Sequence, residues 1–143
     1  MPAIRPAIPA DWPFWQSLDG HISQELFLRK AAAGECYVAL DNGAPAGILR
    51  WNLFWDAVPF CTLLYVDAAH RGGGLGRALM RRWEDDMRAA GHGMVMTSTQ
   101  VDETAQHFYR RLGYADAGGF TVTVPGYEQP LELVMTKDIR RTS

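Results

Sequence analysis

The chain has 143 residues, 48% of them apolar, enough to bury one core without disulfide or metal staples. Its formal net charge of -2, with no basic stripe carrying interleaved aromatics, argues against nucleic acid as a partner. Cys36 and Cys61 stand far apart in no metal-like spacing, no apolar leader follows Met1, and no stretch nears the roughly 18 apolar residues of a membrane span. These features predict a single cytoplasmic domain over 1–143, with a frayed tail from Arg140 to Ser143.

Residues 3–8 alternate as a short strand, and Pro9-Ala10-Asp11 reads as a turn into a helix opening at Trp12. A second helix is expected over Ile22–Ala33, then a hairpin: a strand from Glu35 to Leu40, the turn residues Asp41-Asn42-Gly43, and a strand from Ala46 to Trp55. In that second arm Gly47, Leu49, Trp51, Leu53 and Trp55 fall on one face, which predicts burial of one side only. Phe60–Val66 is nearly continuously apolar, the pattern of a central strand covered on both sides.

Four glycines follow, and then Met80, Trp83, Met87 and Ala90 recur at helical spacing up to Gly91. A short strand over Gly93–Ser98 leads to a last helix with Ala105, Phe108, Tyr109 and Leu112 on one face, Asp102 as its N-cap and Gly113 as its stop. Strands at about Phe120–Val124 and Leu131–Thr136 flank the turn Pro125-Gly126-Tyr127. The order predicts an α/β protein with a mixed six- to seven-stranded sheet flanked by about four helices.

The run His70-Arg71-Gly72-Gly73-Gly74-Leu75-Gly76-Arg77 lies between the apolar strand and an amphipathic helix. Glycines let backbone approach a ligand closely, and the N–H groups and dipole of a helix start favour an anion, so phosphate is the expected guest. A P-loop would close on Gly-Lys-Ser/Thr, whereas Gly76 precedes Arg77-Ala78. A dinucleotide fingerprint starting at Gly72 or Gly74 would need glycine at Arg77 or Leu79.

What remains is R-x-x-G-x-G, filled by Arg71, Gly74 and Gly76, which resembles the pyrophosphate loop of the Gcn5-related N-acetyltransferase (GNAT) superfamily. The segment from Asp102 to Tyr114 is similar to that family's second block, N-x-x-A-x-x-F/L-Y-x-x-x-G-F, with aspartate standing where asparagine is common. The resemblance covers about residues 60–114. It implies a GNAT-like fold and acetyl-CoA as acyl donor, without a metal. The donor would be held by Leu64, Tyr65, Val66, Arg71, Gly72, Gly73, Gly74, Leu75, Gly76, Arg77, Asp102 and Phe108.

The resemblance further implies direct transfer in a ternary complex, with a neutral amine attacking the thioester and Tyr109 as the acid for the leaving thiolate. The same helical spacing also suits Tyr109 as a core residue. A base is not assigned: the strand Cys61–Val66 holds no carboxylate, and Asp56, Glu25 and His107 are candidates, each also suited to a surface or capping role. Trp51, Trp55 and Asp56 are candidate acceptor residues, although the aromatics equally suit core or homodimer packing. The expected acceptor is a primary amine of a small molecule, with a protein or peptide amine, or a non-catalytic acyl-CoA sensor, as the alternatives. His21, His70, His92 and His107 show no metal-ligand spacing.

Overall fold

The computed structural model describes residues 2–141; Met1, Thr142 and Ser143 lie outside the described residues. Along the chain run β1 (Pro2–Pro6), α1 (Trp12–Leu18), α2 (Gln24–Ala32), β2 (Cys36–Asp41), β3 (Ala44–Phe54) and β4 (Val58–Val66). After them come α3 (Leu75–Ala89), β5 (Met94–Gln100), α4 (Ala105–Arg111), β6 (Ala115–Val122) and β7 (Gln129–Asp138). The strands form one mixed sheet of seven in the order β1-β2-β3-β4-β5-β7-β6, with β4 and β5 parallel. Sheet and helix number agree with the expected α/β plan.

Backbone contacts divide the chain into two compact units. The first runs through Asn52 and resumes over Thr62–Asp86; the second takes Leu53–Cys61 and the chain from Met87 onward.

In the first unit, Trp15, Ile22 and Phe27 of the α1–α2 region pack with Cys36 and Val38 of β2 and Ile48 of β3. The Trp15 and Phe27 rings lie 5.0 Å apart, within the range of favourable aromatic pairs. Gly47, the residue before Ile48 in β3, meets Leu79 of α3 instead. The middle of β3, Ala46–Leu49, is therefore buried on both faces, correcting the expectation of a one-sided strand. Neighbours on both sides override alternation. In the opposite sense, β4 is less covered than its apolar run predicts: Pro59 and Cys61 are buried, while Leu63–Val66 are half-buried or exposed.

The turns show which signals the sequence carried. Asn42 and Gly43 take φ 51° and 84° between β2 and β3, the left-handed pair that an Asn-Gly hairpin supplies. Trp55 and Asp56 take φ 57° and 55° between β3 and β4, and the Ala57 amide donates to the Phe54 carbonyl at 3.1 Å. This second turn has the same handedness without glycine or asparagine, and a bulky residue there is strained.

α2 starts at Gln24, later than expected, because the Ser23 hydroxyl caps it by accepting from the Leu26 amide at 3.1 Å.

In the second unit, Cys61 of β4 lies beside Thr97 of β5, and Thr97 lies opposite Met135 of β7. Val95, Thr97 and Met135 are buried, with Tyr109 and Tyr114 stacked edge-on at 5.8 Å. Asp102 does not cap α4. Thr104 precedes the helix, and the Gln106 amide closes the turn by donating to the Val101 and Glu103 carbonyls at 2.6 and 2.9 Å. β6 begins at Ala115, five residues before the expected strand, on an Ala-Asp-Ala-Gly-Gly run with no apolar alternation. The tail expected from Arg140 runs partly outside the described residues; within them the exposed Arg140 guanidinium donates to Asp138 at 2.8 and 3.0 Å, and the neighbouring Ile139 is buried.

Candidate active site

The candidate site begins where β4 gives way to α3. The Asp67 amide donates to the Ala46 carbonyl at 2.8 Å, and the His70 amide to the Asp67 carbonyl at 2.8 Å, which fixes a 3-10 turn at Ala68–His70. The imidazole Nδ1 of His70 lies 3.0 Å from Asp41 Oδ2, tying this turn to the hairpin at Asn42-Gly43. Arg71 folds back along β4: its Nε donates to the Val66 carbonyl at 3.0 Å, and its guanidinium stands 5.1 Å over the Tyr65 ring.

Gly72 and Gly74 then take φ 87° and 82°, a conformation that disfavours any Cβ, whereas Gly73 has an ordinary φ. The first helical hydrogen bond of α3 runs from the Ala78 amide to the Gly74 carbonyl at 3.0 Å. The amides of Leu75, Gly76 and Arg77 stand ahead of it, in the first turn, where a helix has no carbonyl of its own to offer. Those donors and the dipole of a 15-residue helix make an anion cradle, with the exposed Arg77 in the same turn. Arg71–Arg77 thus form one continuous structural feature. Arg88, much farther along α3, is committed elsewhere, donating to the Ile139 carbonyl.

Two supports escaped the sequence reading. A Cβ on Gly47 would stand 3.3 Å from both the Tyr65 carbonyl oxygen and Leu79, so glycine lets β3 pass closely beneath the end of β4. A glycine inside a strand pattern is the signal for such an approach. The His70–Asp41 link had none, since it joins residues 29 apart in sequence.

In the second unit, Tyr109 is 6% exposed. Burial is the main cause that pushes its phenol above the ordinary tyrosine range, with Cys61 adding and Thr97 opposing. Its neighbour Phe108, half-buried, packs edge-on at 5.3 Å. The Thr97 hydroxyl donates to the Cys61 carbonyl at 3.1 Å, so strand pairing and side chain together fix the wall beside the phenol. Asp102 is exposed in the turn before α4.

The acceptor candidates are divided between the two compact units. Trp51, in the first unit, packs 6.5 Å from Trp83. Trp55 and Asp56, in the second, form the strained turn opening β4, with Trp55 76% exposed. Glu25, Asp56 and His107, the candidate bases, are all exposed. Both thiols are buried, and burial pushes Cys36 to about 12, which removes the thiolate that a covalent route would need. Among the described residues no group of three His, Cys, Asp or Glu side chains is arranged to hold a metal, and no helix is long and apolar enough to cross a membrane.

A mixed seven-stranded sheet with four helices is the fold of GNAT acetyltransferase structures. The model of the acetyltransferase (GNAT) family matches residues 2–114, and the chain belongs to that family. It is 38% identical over 77 residues to an IAA acetyltransferase of Azospirillum brasilense, covering 53% of this chain and 48% of that protein. It is 44% identical over 54 residues to a streptothricin acetyltransferase of Streptomyces lavendulae, covering 37% and 29%. The match thus spans about half of the first relative and less than a third of the second. An N-acetyltransferase structure from Staphylococcus aureus Mu50 superposes with TM-score 0.82 at 18% identity, covering 98% of this chain and 99% of that one, a likeness of fold.

Proposed function

We propose that the protein transfers the acetyl group of acetyl-CoA to a primary amine of a small molecule. The observation that carries this reading is the loop Arg71–Gly76, whose left-handed glycines deliver the amides of the first turn of α3 to an anion. The pyrophosphate of the donor lies on that cradle, and the pantetheine arm runs as an added strand beside Leu64–Val66. The names of the two curated relatives favour a small-molecule acceptor.

The chemistry is one displacement through a tetrahedral intermediate. The amine nitrogen bonds to the thioester carbon, and a backbone N–H of β4 steadies the oxyanion. The C–S bond then breaks, and the sulfur takes its proton from Tyr109, whose raised phenol stays protonated at neutral pH. The amine proton passes to water, since the candidate carboxylates and His107 are solvent-exposed.

The test is acetyl-CoA-dependent thiol release across small amines, amino acids, polyamines and peptides, with product masses measured. An acetylated small amine is expected. Turnover confined to peptides would move the acceptor to a protein terminus or lysine; tight acetyl-CoA binding with no acceptor in any class would leave a sensor.

A further inference from the structure

Resting on the reading of Arg71–Gly76 as the acetyl-CoA cradle, we propose that His70 is a positioning residue for that ligand. Through its imidazole link to Asp41 it pins the base of the glycine loop, and it does so best when protonated. The loop leans on little else. A Cβ added at Gly72 or Gly74 would meet nothing within 4 Å, and one at Gly73 only the His70 carbonyl at 3.8 Å. Its conformation is therefore set from its two ends: the first turn of α3 on one side, His70 and Arg71 on the other.

The contacts made by these two side chains differ. Arg71 turns back on the segment it leaves, toward the Val66 carbonyl and the Tyr65 ring. His70 reaches across to another strand, its Nδ1 lying 3.0 Å from Asp41 Oδ2. Asp41 is a firm anchor, because it is paired with Pro2 of β1 and with Ala44 of β3, and the left-handed Asn42-Gly43 turn follows it directly. A loop held in place beforehand gives up less conformational freedom when a ligand binds, so the link favours affinity.

Charge makes a separate contribution. His70 Nε2 lies 3.9 Å from Asp67 Oδ2, so each ring nitrogen faces a carboxylate, one from β2 and one from the residue that opens the 3-10 turn. The adjoining cation, Arg71, is directed toward β4. Two carboxylates at the base of an anion cradle oppose a pyrophosphate; an imidazolium between them offsets that charge and is attracted to both. Histidine changes charge between about pH 5 and 8, so the hold tightens as pH falls through that range. The three side chains are 28–41% exposed, which keeps the effect to the size of a solvent-accessible pair.

Isothermal titration calorimetry of acetyl-CoA against the full chain, at about pH 6 and about pH 8, tests this with His70→Gln, Asp41→Asn and the double variant. Glutamine keeps a neutral hydrogen-bond donor for Asp41 and cannot take up a proton. The phosphomonoester of the ligand also titrates near about pH 6, so the quantity compared is the ratio of variant to parent dissociation constants at each pH. His70→Gln is expected to weaken binding about threefold at the lower pH and hardly at all at the higher one. In the Asp41→Asn background the same substitution should lose most of that effect. A ratio that does not change with pH, or an equal cost in the Asp41→Asn background, would overturn the role of His70 while leaving acetyl-CoA as the ligand. A parent chain that binds no acetyl-CoA would overturn both.

Discussion

The Tyr65 carbonyl oxygen lies 3.3 Å from the point where a Cβ on Gly47 would stand, with the Leu79 side chain equally close. Backbone and a buried leucine cannot both yield freely. Gly47→Ala should push the end of β4 outward and raise KM for acetyl-CoA several-fold while changing kcat less. The accompanying loss of stability should be about 1–3 kcal/mol, the usual range for an overfilled core. Steady-state kinetics and urea melts read the two effects, and an unchanged KM would detach this contact from donor binding.

The glycine loop contains its own control. Gly72 and Gly74 have left-handed φ in open space, whereas Gly73 has ordinary φ and only a 3.8 Å contact to the His70 carbonyl. Gly74→Ala should cost about 1–2 kcal/mol of backbone strain and weaken acetyl-CoA about tenfold in calorimetry, while Gly73→Ala stays near the parent. Equal effects at the two positions would mean that space, not conformation, limits the loop.

Tyr109→Phe removes the proton but keeps the ring that packs on Phe108 and Tyr114. At saturating substrates kcat should fall about a hundredfold or more, with acetyl-CoA affinity little changed. The acid works protonated, and its value is raised, so rising pH should not remove activity through this group until above about pH 10, the ordinary tyrosine value. A Tyr109-dependent alkaline limb below that point would contradict the assignment.

Asp19 sets an acid limit on the first unit. Burial alone would raise its carboxyl, but hydrogen bonds from Arg50, the His21 amide and the Trp15 indole, with the Arg50 charge, outweigh it and hold the group below the ordinary range. Stability from a depressed carboxyl is present above its unfolded value of about 3.9 and lost as pH falls through the folded one. Asp19→Asn should therefore cost about 3–5 kcal/mol at pH 7 in denaturant melts, with the gap narrowing below about pH 4. A gap independent of pH would point to packing, not charge.

Trp55 and Asp56 offer the reverse experiment. Installing Asn-Gly there places suited residues in the left-handed turn and should raise stability by about 1 kcal/mol, net of the lost Phe54–Trp55 ring contact. Retained amine kinetics in that variant would remove both residues from acceptor binding, and a loss confined to amine KM would keep them there.

The two turns explain what the sequence could disclose. Asn42-Gly43 was legible because its chemistry matches its conformation; Trp55-Asp56 was hidden because the surrounding strands impose a conformation that its side chains resist. β6 escaped in part for another reason, since an exposed edge strand needs no apolar alternation and its Gly118-Gly119 reads as loop. The glycine loop and the Tyr109 helix were readable because local backbone demands are written locally. Gly47 beneath Tyr65 and His70 beside Asp41 depend on which strands become neighbours, so their roles emerged only with the fold.

The two thiols turn the fold into its own reporter. Cys36 and Cys61 are 1% and 2% exposed, and one lies in each compact unit. Reagents that detect released CoA should therefore meet little background from the native protein. Under mild denaturant, the rate at which each cysteine is labelled becomes a separate clock for the opening of its own half of the chain.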